Sequence, residues 1–328
     1  MKVLHILSTK GMGWTGGIQA TLTSLAQSRL SSWVDFELTT QKHAKAVCTR
    51  WQPDLLVFHR ASSWKGIPDL LSLKAKARML VEHHYSAGFE QYQVPSRWRF
   101  HTLLKMTYGM MDRVVAISKG QQDWMNRQRL AAPSKIRLIR SSRVLSSFLK
   151  VAEKVEPESP FTLGAYGRFT PQKGFDRLIE AVQLLPSGAV QLCLGGQGPH
   201  EASLKSLAQD NPNIRFLGRI DDVPDFLSHC DAVAIPSRWE PWGNVCLEAR
   251  AAARPAIVSD IDGLSEQTQD CGIRVPPDNA QALAAGIEQL MRASPAQRQE
   301  WGRQGRIGAT RAWDEYIESW EQVLKEFQ

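Results

Sequence analysis

The chain has 328 residues, 43% apolar and 22% charged, which supports two globular domains and excludes a disordered or fibrous polymer. Its net charge of +7 conceals a split: residues 1–150 carry 23 Lys and Arg against 8 Asp and Glu (+15), and residues 151–328 carry 17 against 25 (−8). No run approaches the ~18 apolar residues of a membrane helix, "MKVLHILSTKG" turns polar too early for a signal peptide, and the five scattered cysteines form no C-x-x-C pair for a disulfide framework or zinc. The expected compartment is the cytoplasm, with reduced thiols.

In chain order, "KVLHIL" (2–7) predicts a strand, followed by a glycine loop and a helix over "IQATLTSLAQSRL" (18–30). "VDFELTT" (34–40), "DLLVFH" (54–59), "RMLVEHH" (78–84) and "RVVAIS" (113–118) read as further strands, each leading into a loop or helix. Buried strands without polar alternation, separated by helices, predict a parallel sheet covered on both faces. "KVAEKVEPESP" (150–160) is charged, proline-bearing and aperiodic, so it reads as a linker.

The pattern restarts at "FTLGAYG" (161–167) and continues through "VQLCLGG" (190–196), "IRFLG" (214–218), "CDAVAIP" (230–236) and "PAIVSD" (255–260). Helical patterns at 175–185, 200–209 and 223–229 lie between these strands. The chain is therefore read as α/β, with a first domain at 1–150, a linker at 151–160 and a second domain at 161–312. Two such domains predict a ligand cleft between the carboxyl ends of their sheets. A final helix at 313–328 aligns Trp313, Tyr316, Ile317, Trp320, Val323, Leu324 and Phe327 on one face, which needs a partner surface.

Three short motifs carry chemistry, and a fourth is set aside. Gly11, Gly13, Gly16 and Gly17 lie between the first strand and helix, where backbone amides suit a phosphate. Gly11, Gly13 and Gly16 also fit G-x-G-x-x-G, but the second strand closes on Thr39, Thr40 and Gln41 rather than the acidic residue a dinucleotide needs. In "GRFTPQKG", Arg168 and Lys173 follow a strand and precede a helix, a disposition suited to a diphosphate. In "EPWGNVCLEA", Glu240 sits on a loop and Glu248 on the next helix, with Pro241, Trp242, Gly243 and Asn244 placing amides at its start. Asp260-Ile261-Asp262 spells D-x-D at a strand end and is read as a turn rather than a metal site.

Taken together these segments resemble the retaining GT-B glycosyltransferases of glycosyltransferase family 4. The likeness spans nearly the whole chain and is densest from 161 to 290, including "GRFTPQKGFDRLIEA", "LGGQGP" (194–199), "FLGRI" (216–220) and "DGLSEQ" (262–267). It implies a GT-B architecture of two doubly wound, Rossmann-like domains facing a central cleft, with the last helix returning to the first domain. It also implies that Glu240 contacts the donor sugar, Glu248 the nucleotide ribose, and Arg168 and Lys173 the diphosphate. Gly16 and Gly17 would face that diphosphate, and Trp242, Gly243, Asn244 and Val245 would bind the donor. Base contacts would fall near Arg219 and Ile220. "MLVEHH" resembles the strand whose terminal histidine points at the transferred sugar; His83 aligns best and His84 is its near rival. One departure is Ser141-Ser142, followed by Arg143, where the family usually has an Asn-Gly turn.

The expected activity is metal-independent, retaining transfer of a hexose, with no cofactor and no metal. The donor would be a UDP- or GDP-linked sugar, and the acceptor an anionic lipid-linked or cell-surface saccharide of lipopolysaccharide core, capsule or exopolysaccharide type. A nucleotide-sugar epimerase and a catalytically silent nucleotide-sugar-binding module are the alternatives. No nucleic-acid partner is expected. The basic first half predicts reversible contact with the cytoplasmic face of the inner membrane, with Arg97, Arg99 and Lys105 interleaved with Trp98, Phe100, Leu103 and Leu104. A merely solvated basic face is the alternative.

Overall fold

The computed structural model describes residues 1–8, 16–154 and 159–328. Gly11, Gly13 and residues 155–158 of the expected linker lie outside them. The described chain divides into two compact units, one formed by Met1–Val144 with Trp313–Gln328 and the other by Leu145–Ala312.

In the first unit β1 (Lys2–Leu7), α1 (Gly16–Ala26), β2 (Asp35–Thr40), α2 (Ala44–Trp51), β3 (Leu55–His59), α3 (Ile67–Lys74) and β4 (Arg78–Glu82) follow one another. Then come α4 (Ala87–Gln93), α5 (Arg97–Met110), β5 (Arg113–Ala116), α6 (Lys119–Arg127) and β6 (Ile136–Leu138). The strands form one sheet in the order β2-β1-β3-β4-β5-β6, and every pair is parallel. All five side chains of β3 are buried, because helices cover both faces. The strand order reverses between β1 and β3, the place where an open α/β sheet leaves a crevice at its carboxyl edge.

The second unit runs β7 (Phe161–Tyr166), α7 (Phe175–Gln183), β8 (Val190–Gly195), α8 (Glu201–Ala208), β9 (Ile214–Gly218), α9 (Val223–Ser228) and β10 (Ala232–Ile235). It continues with α10 (Asn244–Ala251), β11 (Ala256–Ser259), α11 (Asp262–Gln267), β12 (Gly272–Val275), α12 (Ala280–Arg292) and α13 (Pro295–Thr310). Its sheet has the order β12-β11-β10-β7-β8-β9, the Rossmann order, and reverses between β7 and β10. Leu163, Leu192, Leu194 and Ile257 from the sheet pack against Leu178, Ile179 and Ile287 from the helices.

The last helix, α14 (Ala312–Lys325), buries Tyr316, Ile317, Trp320, Val323 and Leu324. Trp320 meets the ring of His5 on β1 edge-on at 5.9 Å. Beyond the helix, Glu326 pairs with both Arg113 and Arg137.

The apolar residues expected at a headgroup boundary separate in the structure. Leu103 and Leu104 face the core and Phe100 packs edge-on against Tyr85, because successive turns of α5 direct them inward. Trp98 is 76% exposed, and Met106 is also exposed.

Candidate donor and transfer residues

In the second unit the site grows from the loops that leave β7 and β10 side by side at the carboxyl edge. The two loops are tied together: the Arg238 amide donates to the Gln172 carbonyl at 2.8 Å, and Gln172 Nε2 donates to the Trp239 carbonyl at 3.1 Å. Gly174 has φ +64°, and a Cβ there would come within 2.1 Å of the Pro236 carbonyl oxygen, so a side chain would force the loops apart.

This approach brings Lys173 to Glu240. The Lys173 ammonium donates to Glu240 Oε2, and Ser237 Oγ donates to the same oxygen at 3.3 Å. Glu240 is buried, and so is Glu248, whose Oε2 accepts from the Tyr166 hydroxyl at 2.6 Å. Tyr166 ends β7 and Glu248 lies on α10, so the second carboxylate also bridges the reversal point. Beside them, Arg238 donates to both carboxylate oxygens of Asp176, at 2.9 and 2.6 Å, and to Asp278 at 2.9 Å. Burial pushes the Asp176 carboxyl up, yet this fork holds it below the usual carboxylate range.

The start of α10 presents donors. Among the described residues, the amides of Asn244 and Val245 donate to no group. Trp242 Nε1 is buried without a hydrogen-bond acceptor among the same residues. Gln267 Nε2 donates to the carbonyls of Trp242 at 2.8 Å and Gly243 at 3.3 Å, fixing the turn that aims those amides. Two buried carboxylates, an ammonium and free amides at a helix start can hold hydroxyls and a phosphate on neighbouring atoms.

Arg168 stands on the exposed surface of the β7 loop. Arg219 is exposed and pairs with Asp221 at 2.8 Å. Ile220 packs against Gly195, and both Arg219 and Ile220 line a cavity of about 370 Å³ beside α9. Gly16 and Gly17 open α1 in the first unit. Asp260 follows β11 and accepts from Ser265 Oγ at 2.7 Å, while Asp262 starts α11. Among the described residues, no group of three or more His, Cys, Asp or Glu is placed to hold a metal ion.

In the first unit, β4 delivers Glu82, His83 and His84 to its carboxyl edge. His83 is buried, with Nδ1 at 3.0 Å from the Tyr108 hydroxyl and Nε2 at 3.4 Å from Ser62 Oγ. Burial, reinforced by the charge of His84, lowers its pKa to about 3, so the ring is neutral at physiological pH. His84 is exposed and approaches Glu82 Oε1 at 3.2 Å. Burial pushes the Glu82 carboxyl up, but His59 and His84 outweigh it and hold it well below the usual range. His59 Nε2 lies within hydrogen-bond distance of His5 Nδ1, at 2.8 Å, and its Nδ1 approaches Glu82 Oε1 at 3.6 Å, so buried polar groups line up from β1 through β3 to β4. The loop after β4 is fixed by Gln121, whose Nε2 donates to the carbonyls of His83 and Tyr85, each at 2.6 Å.

Sequence reasoning missed Ser237, Tyr166, Gln121, Glu82 and His59. Tyr166, Gln121 and His59 act through partners far away in the chain, which the folding of each sheet brings together, whereas Ser237 lies three residues from Glu240 and Glu82 two from His84.

Residues 148–307 match the family described as Glycosyl transferases group 1. A lipopolysaccharide core biosynthesis glycosyltransferase, LpsE of Rhizobium meliloti, is 34% identical over 165 residues, 46% of this chain and 48% of that protein. An uncharacterised glycosyltransferase of Methanocaldococcus jannaschii is 32% identical over 169 residues, 49% of this chain and 42% of its own. The chain thus spans about half or less of the length of these curated relatives. The sucrose-phosphate synthase of Thermosynechococcus elongatus superposes with a TM-score of 0.82 at 21% identity, covering 99% of both chains. HepE of Anabaena, solved with UDP, gives 0.76 at 20% identity and the same coverage. This is the GT-B fold. In GT-B terms, the matched family segment contains the whole Lys173–Glu240–Glu248 constellation, and the first sheet, with the order β2-β1-β3-β4-β5-β6, supplies the other half.

Proposed function

We propose that the protein is a retaining, metal-independent glycosyltransferase that moves a hexose from a nucleoside diphosphate sugar to an anionic, lipid-linked or cell-surface saccharide. The observation that carries the reading is the meeting of Lys173 with Glu240 at the reversal point of the second sheet, beside Tyr166-held Glu248 and the free amides of α10. HepE is a UDP- and UDP-glucose-bound relative in fold, which supports a nucleotide sugar as donor. LpsE and LpsD of Rhizobium meliloti, named for lipopolysaccharide core biosynthesis, support the acceptor class.

In the reaction, an acceptor hydroxyl oxygen bonds to the anomeric carbon as the bond from that carbon to the diphosphate oxygen breaks. The bonding electrons leave with the diphosphate, and the acceptor proton passes to its oxygen on the same face. The role assigned to Lys173, Arg168 and the α10 amides is to balance the developing negative charge. Glu240 is assigned to the sugar and Glu248 to the ribose, with Trp242 and Gly243 shaping the donor site and Arg219 and Ile220 near the base. Gly16 and Gly17 are assigned to the diphosphate from α1. His83 is the proposed transfer-side group of the first unit; as a neutral imidazole it offers a hydrogen bond rather than a charge. Exposed Trp98, flanked by Arg97 and Arg99, supports reversible docking on an anionic membrane.

Product analysis after incubation with UDP-glucose tests the reading, with and without a phosphorylated saccharide acceptor and with EDTA throughout. Transfer only in the presence of acceptor, unaffected by EDTA, is expected. Epimerised sugar nucleotide without acceptor, binding without turnover, or loss of activity restored by magnesium would each overturn a named part of it.

A further inference from the structure

The first unit contains a cavity of about 600 Å³ at the carboxyl edge of its sheet, lined by Ile6 of β1, Phe58 of β3 and Gln41, Lys42, Lys45, Arg60 and Asp69 around them. It lies at the reversal between β1 and β3, the counterpart in the first sheet of the place where Lys173 meets Glu240 in the second. Its volume falls within the range of small-molecule pockets, and is far larger than a single inorganic anion needs.

Its charge is unbalanced. Three cationic side chains line it against one carboxylate, and that carboxylate is already engaged: Asp69 pairs with Lys45 at 2.9 Å and accepts from Gln41 at 3.4 Å. Arg60 is only 8% exposed. Among the described residues its guanidinium has no hydrogen bond or ion pair, and rests against the Phe58 ring at 5.8 Å. It also lies over Gly66, where a Cβ would come within 2.9 Å of Nη1. Burial lowers its pKa, and the nearby charge of Asp69, itself paired with Lys45, offsets this only in part. The helix that borders the cavity, α2, opens behind His43 with no side chain capping its first amides.

We propose that this cavity is an acceptor subsite that takes a phosphate group carried on a sugar, with Arg60 as its buried anchor and Lys42 and Lys45 at its mouth. The guanidinium supplies a planar fork that pairs with two phosphate oxygens, and the lysines add charge without geometric demand. Apolar Ile6, Phe58 and Leu73 leave room for the sugar ring rather than a second charge. The backbone of Arg60 lies against the His83 ring, so an acceptor anchored here would reach the histidine assigned to transfer. This inference rests on the glycosyltransferase reading, which makes the first unit the acceptor half.

Thermal-shift and calorimetric titrations of the full chain with glucose 6-phosphate, glucose, inorganic phosphate and, separately, UDP test it. The expected result is saturable binding of glucose 6-phosphate, at least tenfold weaker binding of glucose and of phosphate alone, and loss of tenfold or more in Arg60→Met. The Tm of unliganded Arg60→Met should equal or exceed that of the parent, because the buried guanidinium that is removed makes no hydrogen bond among the described residues and is only partly balanced by Asp69. Lys42→Ala, on the surface, should lower affinity severalfold and provides a variant whose folding is not at issue. Equal binding of glucose, binding of inorganic phosphate as tight as the ester, or Arg60→Met and Lys42→Ala with parental affinity would overturn the subsite. Failure of UDP to bind would instead count against the donor reading, which the Arg60 variant leaves untouched.

Discussion

Lys173 and Glu240 pair across the line where the strand order of the second sheet reverses, their loops held together by the Arg238–Gln172 backbone bond. Glu240 is buried in this pair. Glu240→Ala is expected to lower transfer by about two orders of magnitude or more, on the scale of losing one preorganised polar contact. UDP affinity should stay within a few-fold of the parent, which calorimetry measures directly. Near-parental turnover would remove Glu240 from the sugar.

Tyr166 offers a different separation. Its hydroxyl is a donor to Glu248, and hydrogen bonds to charged groups contribute about 1.5–3 kcal/mol. Tyr166→Phe should therefore weaken UDP binding by about tenfold or more while changing kcat little, if Glu248 holds the ribose. A kcat loss with unchanged UDP affinity would reassign that glutamate.

The first unit should lose stability in mild acid. His83 has a folded pKa of about 3 against an unfolded value near 6.5, so the unfolded chain binds the extra proton between those values. Its contribution is complete above pH 6.5 and is lost as the pH falls towards 3. Between pH 6.5 and 5 this amounts to about 2 kcal/mol. His5, lowered by burial and by the charge of His59, acts in the same direction. Glu82, whose carboxyl is held low, loses its contribution at still more acid pH. Denaturant titrations from pH 7.5 to 4.5 should show this slope, and His83→Gln should flatten it.

Membrane docking has its own test. Trp98→Ala together with Arg97→Gln and Arg99→Gln should abolish cosedimentation with anionic vesicles and leave UDP binding intact. About 1 kcal/mol per basic residue is at stake, screened within about 8 Å at 0.15 M salt. Equal partitioning of the parent to neutral vesicles would refute the electrostatic part.

The strand–helix alternation made five strands of each sheet legible and missed the short β6, because "LLVFH" and "AVAI" are continuous apolar runs that a doubly covered parallel sheet buries, while β6 has three residues. The stretch from 268 to 312 was not legible, and it holds β12, α12 and α13. Gly302, Gly305 and Gly308 argue against a helix by propensity, yet α13 packs along α10 and tertiary contact prevails. The motif "EPWGNVCLEA" pointed to a site because its residues are close in sequence. Tyr166 and Glu248, by contrast, are strangers in the chain, as are His5, His59 and Glu82. Their meeting depends on strand order, which periodicity does not encode. In the segment at 97–105 the sequence alternation did not show that Leu103 and Leu104 turn inward while Trp98 stays exposed, since alternation in sequence is not alternation in space on an α-helix.

The return of α14 to the first unit has a consequence for biosynthesis. A ribosome releases Lys2–Leu138, with all six strands of that sheet, long before Trp320 emerges to cover His5 or Glu326 to engage Arg113 and Arg137. The second unit is drawn from one uninterrupted stretch and has all its residues available earlier. Synthesis order and completion order are therefore inverted: the half made first waits on the half made second, and in the interval the surface that α14 later covers stays open.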